Sequence, residues 1–160
     1  MLTQSLRFLS LVFTALIMGS AFCHVLEMPI KLAMAGSDYM VVFGPVGAVL
    51  EPAAILSSAA LAFLVRNRRS FVPAVVGTLA LVTALLVWVA VVSPVNPHWA
   101  AAGPDTVPPR FESLRARWEW GHTAHAALLF VSFLALVVSV LEDIPRRAVA
   151  EARRRAKRAA

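Results

Sequence analysis

Hydrophobic residues in this sequence fall into four blocks, separated by short polar or proline-containing stretches. The blocks cover approximately residues 6–26, 43–65, 71–92 and 118–141. Each block is long enough to cross the hydrocarbon core of a bilayer, which takes about 20 residues of α-helix. Four spans joined by short connections are expected to pack as an up-and-down bundle. The pattern therefore predicts an all-α protein with a four-helix transmembrane domain over residues 1–143.

Composition supports this prediction. Hydrophobic residues make up 59% of the 160 residues, compared with roughly 45–50% in soluble proteins, and the length suits one domain. The first block has an alternative interpretation, because Arg7 precedes an apolar run with small residues at Gly19 and Ala21, as in a cleaved signal peptide. We interpret it as a retained span. The single cysteine, Cys23, excludes an internal disulfide.

Basic residues are distributed unevenly around the four blocks and predict the orientation. Most of the 15 lysines and arginines lie at Arg7, in the loop 66–69 and in the C-terminal segment 144–160. By the positive-inside rule both termini are cytoplasmic and the protein lies in the plasma (inner) membrane. Segment 144–160 is then a basic cytoplasmic tail, either solvated or attracted to membrane lipids. No recognition motif accompanies it, so nucleic acid is not an expected partner.

Ionisable residues inside the apolar blocks lie near one end of each predicted helix. With a rise of 1.5 Å per residue, His24 and His122 are each roughly 27–28 Å from the inner face, and Glu51 is about 21 Å from it. We therefore predict one polar layer in the outer part of the bilayer. Because ionisable groups are costly to desolvate there, such a layer is by default a functional-site hypothesis.

Two short motifs in this layer mirror each other. The first helix contains His24-x-x-Glu27 and the fourth contains Glu119-x-x-His122. Facing Glu-x-x-His elements build di-metal sites in bundles, but the third block supplies no carboxylate, so a mononuclear metal site with two histidines and a carboxylate fits better. The candidate ligands are His24, Glu27, Glu51, Glu119, His122 and, as an alternative, His125. Haem between His24 and His122 is a less favoured option.

A structural interpretation of the same residues stays open. Glu27 with Lys31, and Arg115 with Glu119, have the i, i+4 spacing of helical ion pairs, and Trp118 and Trp120 have the character of an interfacial aromatic belt. The connection 31–42 is predicted to be an outer loop. The third span is predicted to leave the membrane at 93–96 and to be followed by a second, proline-punctuated outer loop that contains His98, Trp99, Pro104, Pro108 and Pro109.

Four segments together resemble the anthrone oxygenase-like family, a group of four-span membrane proteins. They are HVLEMPIKL (24–32), FGPVGAVLEP (43–52), SPVN (93–96) and RWEWGHTAH (117–125). The resemblance covers nearly the whole chain in order and spacing. The family's helix-four motif is matched by Arg117, Trp118, Glu119, Gly121 and His122, and Asn96 matches the element that closes the third span. His125 stands where the family has an arginine.

The resemblance implies oxidation of a lipophilic aromatic compound by dioxygen. No glycine-rich nucleotide motif is present in the sequence. An anthrone carries an acidic C–H next to a carbonyl, so His122 or His24 can act as the base that forms a carbanion. Glu51 is the third candidate catalytic residue.

Four further residues are candidates for substrate binding. Trp118 and Trp120 are suited to stacking on an aromatic substrate, and Asn96 and Trp99 complete the predicted set. The alternative to an oxidoreductase is a non-catalytic membrane protein or complex subunit, whose polar layer only stabilises the bundle. A transporter is disfavoured because the four short spans show no internal repeat.

Overall fold

A computed structural model describes residues 1–42, 50–102, 106–143 and 155–156. All regular elements in these ranges are helices: α1 (Leu2–Ala33), α2 (Gly36–Val42), α3 (Leu50–Leu64), α4 (Phe71–Val87), α5 (Asn96–Ala102) and α6 (Phe111–Leu141). A π-helical turn, Trp88–Val92, and a 3-10 turn, Ser93–Val95, connect α4 to α5. The start of the second predicted span, 43–49, and most of the basic tail lie outside the described residues.

Three continuous helical stretches are long and apolar enough to cross a membrane: Leu2–Ala33, Phe71–Ala102 and Phe111–Leu141. Helix α3 is a shorter apolar helix. Large hydrophobic side chains point outward from all four, including Leu16, Leu56, Leu79 and Leu134. Contiguous outward apolar surface of this kind suits lipid rather than water as the surrounding solvent. The all-helical prediction is therefore confirmed, and the helices are those of a membrane protein.

Helices α1, α3, α4 and α6 form a closed ring in cross-section. Helix α1 packs on α3 and α6, and α4 packs on the same two helices. The centre of the bundle is filled largely by small and branched residues, among them Ala21, Ala54, Ala84, Ala126 and Leu129. Small residues allow helices to approach closely, which is the main source of packing energy in an apolar solvent.

The predicted outer loop at 31–42 is wrong. Helix α1 continues through Pro29 and Lys31 to Ala33, and α2 follows after a short bend. A contact from a distant part of the chain stabilises this extension. Arg115 of α6 donates to the carbonyl oxygens of Lys31 at 3.3 Å and Met34 at 3.0 Å. Carbonyls at a helix end lack the usual donors of the following turn, and that of Lys31 otherwise accepts a 3.4 Å hydrogen bond from the amide of Met34.

The first part of the second predicted loop is also helical, since the chain continues from α4 through the two irregular turns to Ala102. Residues 106–110 are not helical, as expected for a loop. Pro94 has no amide hydrogen, so the carbonyl of Ala90 loses its usual donor four residues later. Arg117 of α6 replaces that donor. Its guanidinium donates to the carbonyl of Ala90 at 2.9 Å and to that of Val91 at 3.0 Å.

Gly121 lets α6 approach the π-helical turn closely. A Cβ atom at this position would lie 2.7 Å from Cγ2 of Val92 and 3.1 Å from Cγ1 of Val91. Val92 is fully buried, so it has little room to move away. The glycine is therefore required by packing.

We expect Gly121→Ala to lower the thermal unfolding midpoint of the purified protein, because overpacking typically costs about 1–3 kcal/mol. Gly19→Ala is the matched control. It also replaces a helical glycine, with the same gain of up to about 1 kcal/mol in helix propensity, but its Cβ would meet nothing within 4 Å. Equal shifts of the unfolding midpoint in the two variants would contradict the packing argument.

At the opposite end of the bundle, Asp143 joins three segments. Its carboxylate accepts a hydrogen bond from Arg7 of α1 and one, at 3.3 Å, from Arg68 in the α3–α4 turn. We call Arg7, Arg68 and Asp143 the arginine clasp. Burial by itself would raise the pKa of Asp143, but the hydrogen bonds and charges of Arg7 and then Arg68 outweigh burial and lower that pKa.

A lowered folded-state pKa makes the clasp stabilising at neutral pH. Its contribution is fully present above the unfolded-state pKa of roughly 3.9 and is lost as the pH falls through the folded-state pKa. We expect the unfolding temperature of the wild type to fall below about pH 4 more steeply than that of Asp143→Asn, which is already destabilised at pH 7. Parallel pH profiles of the two proteins would contradict this role.

Candidate functional site

Three aromatic rings pack against one another where α1 meets α6. The rings of His24 and His122 are stacked, with centroids 4.4 Å apart and planes inclined by 23°. Trp118 lies 4.2 Å from His122 and 5.2 Å from His24, edge-on to both. We call these residues the three-ring cluster. His122 and Trp118 are buried, whereas His24 is half-buried.

The two stacked histidines differ in what their nitrogens contact. Nδ1 of His24 lies 3.4 Å from Nζ of Lys31. Because an ammonium group can only donate, this nitrogen is the acceptor. Nδ1 of His122 is buried and has no hydrogen-bond partner among the described residues. Of the two histidines in the cluster, His122 is therefore the one with a buried nitrogen that has no hydrogen-bond partner among the described residues.

Lys31 is buried beside the cluster and fixed by Glu27. Its Nζ lies 2.8 Å from Oε2 of Glu27 and 5.7 Å from the centre of the Trp118 ring. The side chain of Glu27 is 57% exposed. Glu27 therefore faces outward and positions Lys31, and the expected i, i+4 ion pair is present.

Glu119 is fully buried one turn before His122 and is held by the hydroxyl of Tyr39. That hydroxyl donates to Oε1 of Glu119 at 3.1 Å, while Oε2 has no hydrogen-bond partner among the described residues. Burial, and then the negative charge of Glu119, raise the pKa of Tyr39 well above its usual value. Tyr39 thus remains a neutral donor.

The alternative ion pair between Arg115 and Glu119 is wrong. Arg115 instead pairs with Glu112 at 2.6 Å and donates to the backbone at the end of α1.

Glu51 contacts His125 rather than the three-ring cluster. Nε2 of His125 lies 3.1 and 3.3 Å from the two carboxylate oxygens, and both side chains are buried. The ring of His125 is 6.4 Å from that of His122. The structure thus separates the predicted catalytic set into a stacked pair, His24 and His122, and a neighbouring Glu51–His125 pair.

The candidate substrate-binding residues are divided in the same way. Nε1 of Trp118 donates to Oδ1 of Asn96 at 3.1 Å, which joins Asn96 to the cluster. Trp99 is buried against Tyr39 and Phe111 in an adjacent aromatic group. Trp120 is 62% exposed and makes no ring contact with the cluster in the part of the chain that the structure describes.

The described residues contain no group of three or more His, Cys, Asp or Glu side chains arranged to hold a metal ion. The physical reason is that the candidate ligands already face other partners. Glu27 faces Lys31, Glu51 faces His125 and one oxygen of Glu119 faces Tyr39. The face-to-face stacking of His24 and His122 also leaves no space for a porphyrin between them.

The sequence predicted the pairing of Lys31 with Glu27 but not its contact with His24, and it did not predict the role of Tyr39, because residues 31–42 were expected to form a loop. The one available signal was that Tyr39 is the chain's single tyrosine. Comparisons with protein-family models, with curated proteins and with solved structures found no match for this chain.

We expect Tyr39→Phe to destabilise the protein by about 1–3 kcal/mol, because it leaves a buried carboxylate without its donor. The matched background is Glu119→Gln, in which the buried charge is already removed. In a double-mutant cycle of unfolding free energies, Tyr39→Phe is expected to cost less in that background. Equal costs in both backgrounds would show that the two residues are not coupled.

Proposed function

We propose that this chain is a four-span protein of the plasma (inner) membrane, with both termini cytoplasmic. We further propose that it is a small oxidoreductase, resembling anthrone oxygenases, that acts on a lipophilic aromatic compound entering from the bilayer. The apolar helices support the membrane assignment. The uneven distribution of arginines supports the orientation, and the four sequence segments support the reaction class.

The observation that carries the catalytic proposal is the buried, unpartnered Nδ1 of His122 inside the three-ring cluster. A nitrogen without a hydrogen-bond partner can take a proton from a molecule that reaches it. Nδ1 of His125 is also unpartnered, but the other nitrogen of that ring contacts Glu51 and the ring lies outside the three-ring cluster. His24 is less suited to this role, because its Nδ1 already faces Lys31. We therefore assign the base to His122 and the positioning of its ring to His24 and Trp118.

In the proposed reaction, Nδ1 of His122 removes a proton from a CH₂ group next to an aromatic ketone. The resulting carbanion reacts with dioxygen. Overall, the CH₂ group and O₂ give a C=O group and one water, so the carbon loses four electrons and O₂ gains them. In this proposal, the unpartnered Oε2 of Glu119 accepts a hydrogen bond from a phenol on the same substrate.

A non-catalytic role is the second candidate, and one observation favours it. Several polar side chains near the cluster are already paired with one another: Glu51 with His125, Glu27 with Lys31, Glu119 with Tyr39, and Trp118 with Asn96. Pairs of this kind are sufficient to stabilise helix packing in a membrane.

Oxygen uptake by the protein in liposomes, with anthrone as the probe, tests the catalytic proposal. We expect His122→Ala to lower the rate by at least about 100-fold, which is the usual loss when a general base is removed. His125→Ala is the neighbouring control and is expected to have a smaller effect. Empty liposomes give the background reaction of anthrone with oxygen.

Two outcomes would contradict this assignment. If the wild type does not exceed empty liposomes, the structural role of the polar side chains is favoured over oxidation of anthrones. If His125→Ala lowers the rate more than His122→Ala, the base is assigned to the wrong histidine. Unfolding temperatures of both variants show whether a lost rate reflects lost structure.

A further inference from the structure

A groove runs along the outside of the bundle between α4 and α6, next to the arginine clasp and far from the three-ring cluster. Its volume is about 650 Å³. Its apolar lining comes from both helices: Val72, Pro73, Val76, Ala135 and Val138. Several of these side chains are substantially exposed, with Val72 at 65% and Val138 at 45%. The groove is therefore open and apolar, and it lies on the surface that faces lipid.

Charged groups lie at the mouth of this groove. Arg68, Arg69 and Glu142 complete its lining. One guanidinium nitrogen of Arg68 is held by Asp143 at 3.3 Å, which fixes the side chain beside the opening. Arg69 is exposed and forms no hydrogen bond or ion pair within the part of the chain that the structure describes. The mouth thus has a net positive charge, with one uncommitted arginine.

We propose that this groove binds an anionic phospholipid. The phosphate contacts Arg69 and the outward side of Arg68, and one acyl chain lies along the apolar lining between α4 and α6. The proposal rests on the membrane assignment above but not on the proposed oxidation. An amphiphile with a negative head and an apolar tail matches both parts of the groove, whereas a free anion matches only the arginines.

A second copy of this chain fits the groove less well. Copies in one membrane share one orientation, so a symmetric contact through this face would place the two pairs of arginines at the same depth. Like charges opposite one another destabilise such an interface. Charge complementarity therefore favours the lipid.

Native mass spectrometry of the detergent-solubilised protein tests the proposal, with phosphatidylglycerol and phosphatidylcholine of the same acyl chains as probes. We expect the wild type to retain phosphatidylglycerol preferentially and Arg69→Gln to reduce this preference about fivefold. Arg66→Gln is the matched control, because Arg66 belongs to the same turn but packs over Phe63, away from the groove. Glu142→Gln, which removes the opposing charge, is expected to increase retention.

The apolar half of the site needs its own variant. Ala135→Phe fills the groove and leaves every charge in place, so we expect it to reduce binding of both lipids. If Ala135→Phe does not fold, Val138→Ser tests the apolar half instead, because it makes an exposed part of the lining polar without changing any charge. Inorganic phosphate is not expected to displace the lipid.

Three results would overturn the proposal. Equal losses in Arg66→Gln and Arg69→Gln would indicate diffuse attraction to a basic surface. Displacement by inorganic phosphate would indicate a simple anion site. A dimer in the same spectra that Ala135→Phe abolishes, without a change in lipid retention, would assign the groove to a second copy. Because no readout depends on turnover, failure of the proposed oxidation leaves these results interpretable.

Discussion

Backbone carbonyls in apolar surroundings need hydrogen-bond donors, and this requirement governs one end of the bundle. Two arginines of α6 donate such hydrogen bonds to carbonyls of other helices. Arg115 serves the end of α1, and Arg117 serves the turn where Pro94 has removed a donor. With these donors in place, α1 extends to Ala33 and the chain after α4 stays helical to Ala102. The helices around the three-ring cluster are longer as a result.

The longer helices decide which side chains reach the cluster. Lys31 lies in the last turn of α1, and Tyr39 lies in α2. The ammonium group of Lys31 contacts Nδ1 of His24, and the hydroxyl of Tyr39 donates to Oε1 of Glu119. One nitrogen of His24 and one oxygen of Glu119 are therefore occupied. His122 has no such partner at Nδ1 in the described structure. Its distinction from His24 is thus produced by the neighbours rather than by its own position in α6.

The two ends of the bundle use their charges differently. The arginine clasp pairs Asp143 with two guanidinium groups, so its one negative charge is fully paired and one positive charge remains in excess. Near the three-ring cluster, Glu119 and His122 each retain a buried polar atom without a hydrogen-bond partner among the described residues, and so does Nε of Arg7 in the clasp. A buried polar atom without a hydrogen-bond partner is costly, so each one calls for a bound ligand or water, or for stabilisation from other contacts.

The sequence by itself determined the helical class, the apolar stretches and the similar level of His24 and His122 along their helices, because hydrophobic runs and helix rise depend only on local order. The Glu27–Lys31 pair was predictable for the same reason. Tertiary structure decided that Glu51 faces His125, that Tyr39 holds Glu119 and that helix continues into the expected loops at 31–42 and after Asn96. Each of these rests on a donor or acceptor from a distant segment, such as Arg115 or Arg117, and local spacing carries no information about such contacts.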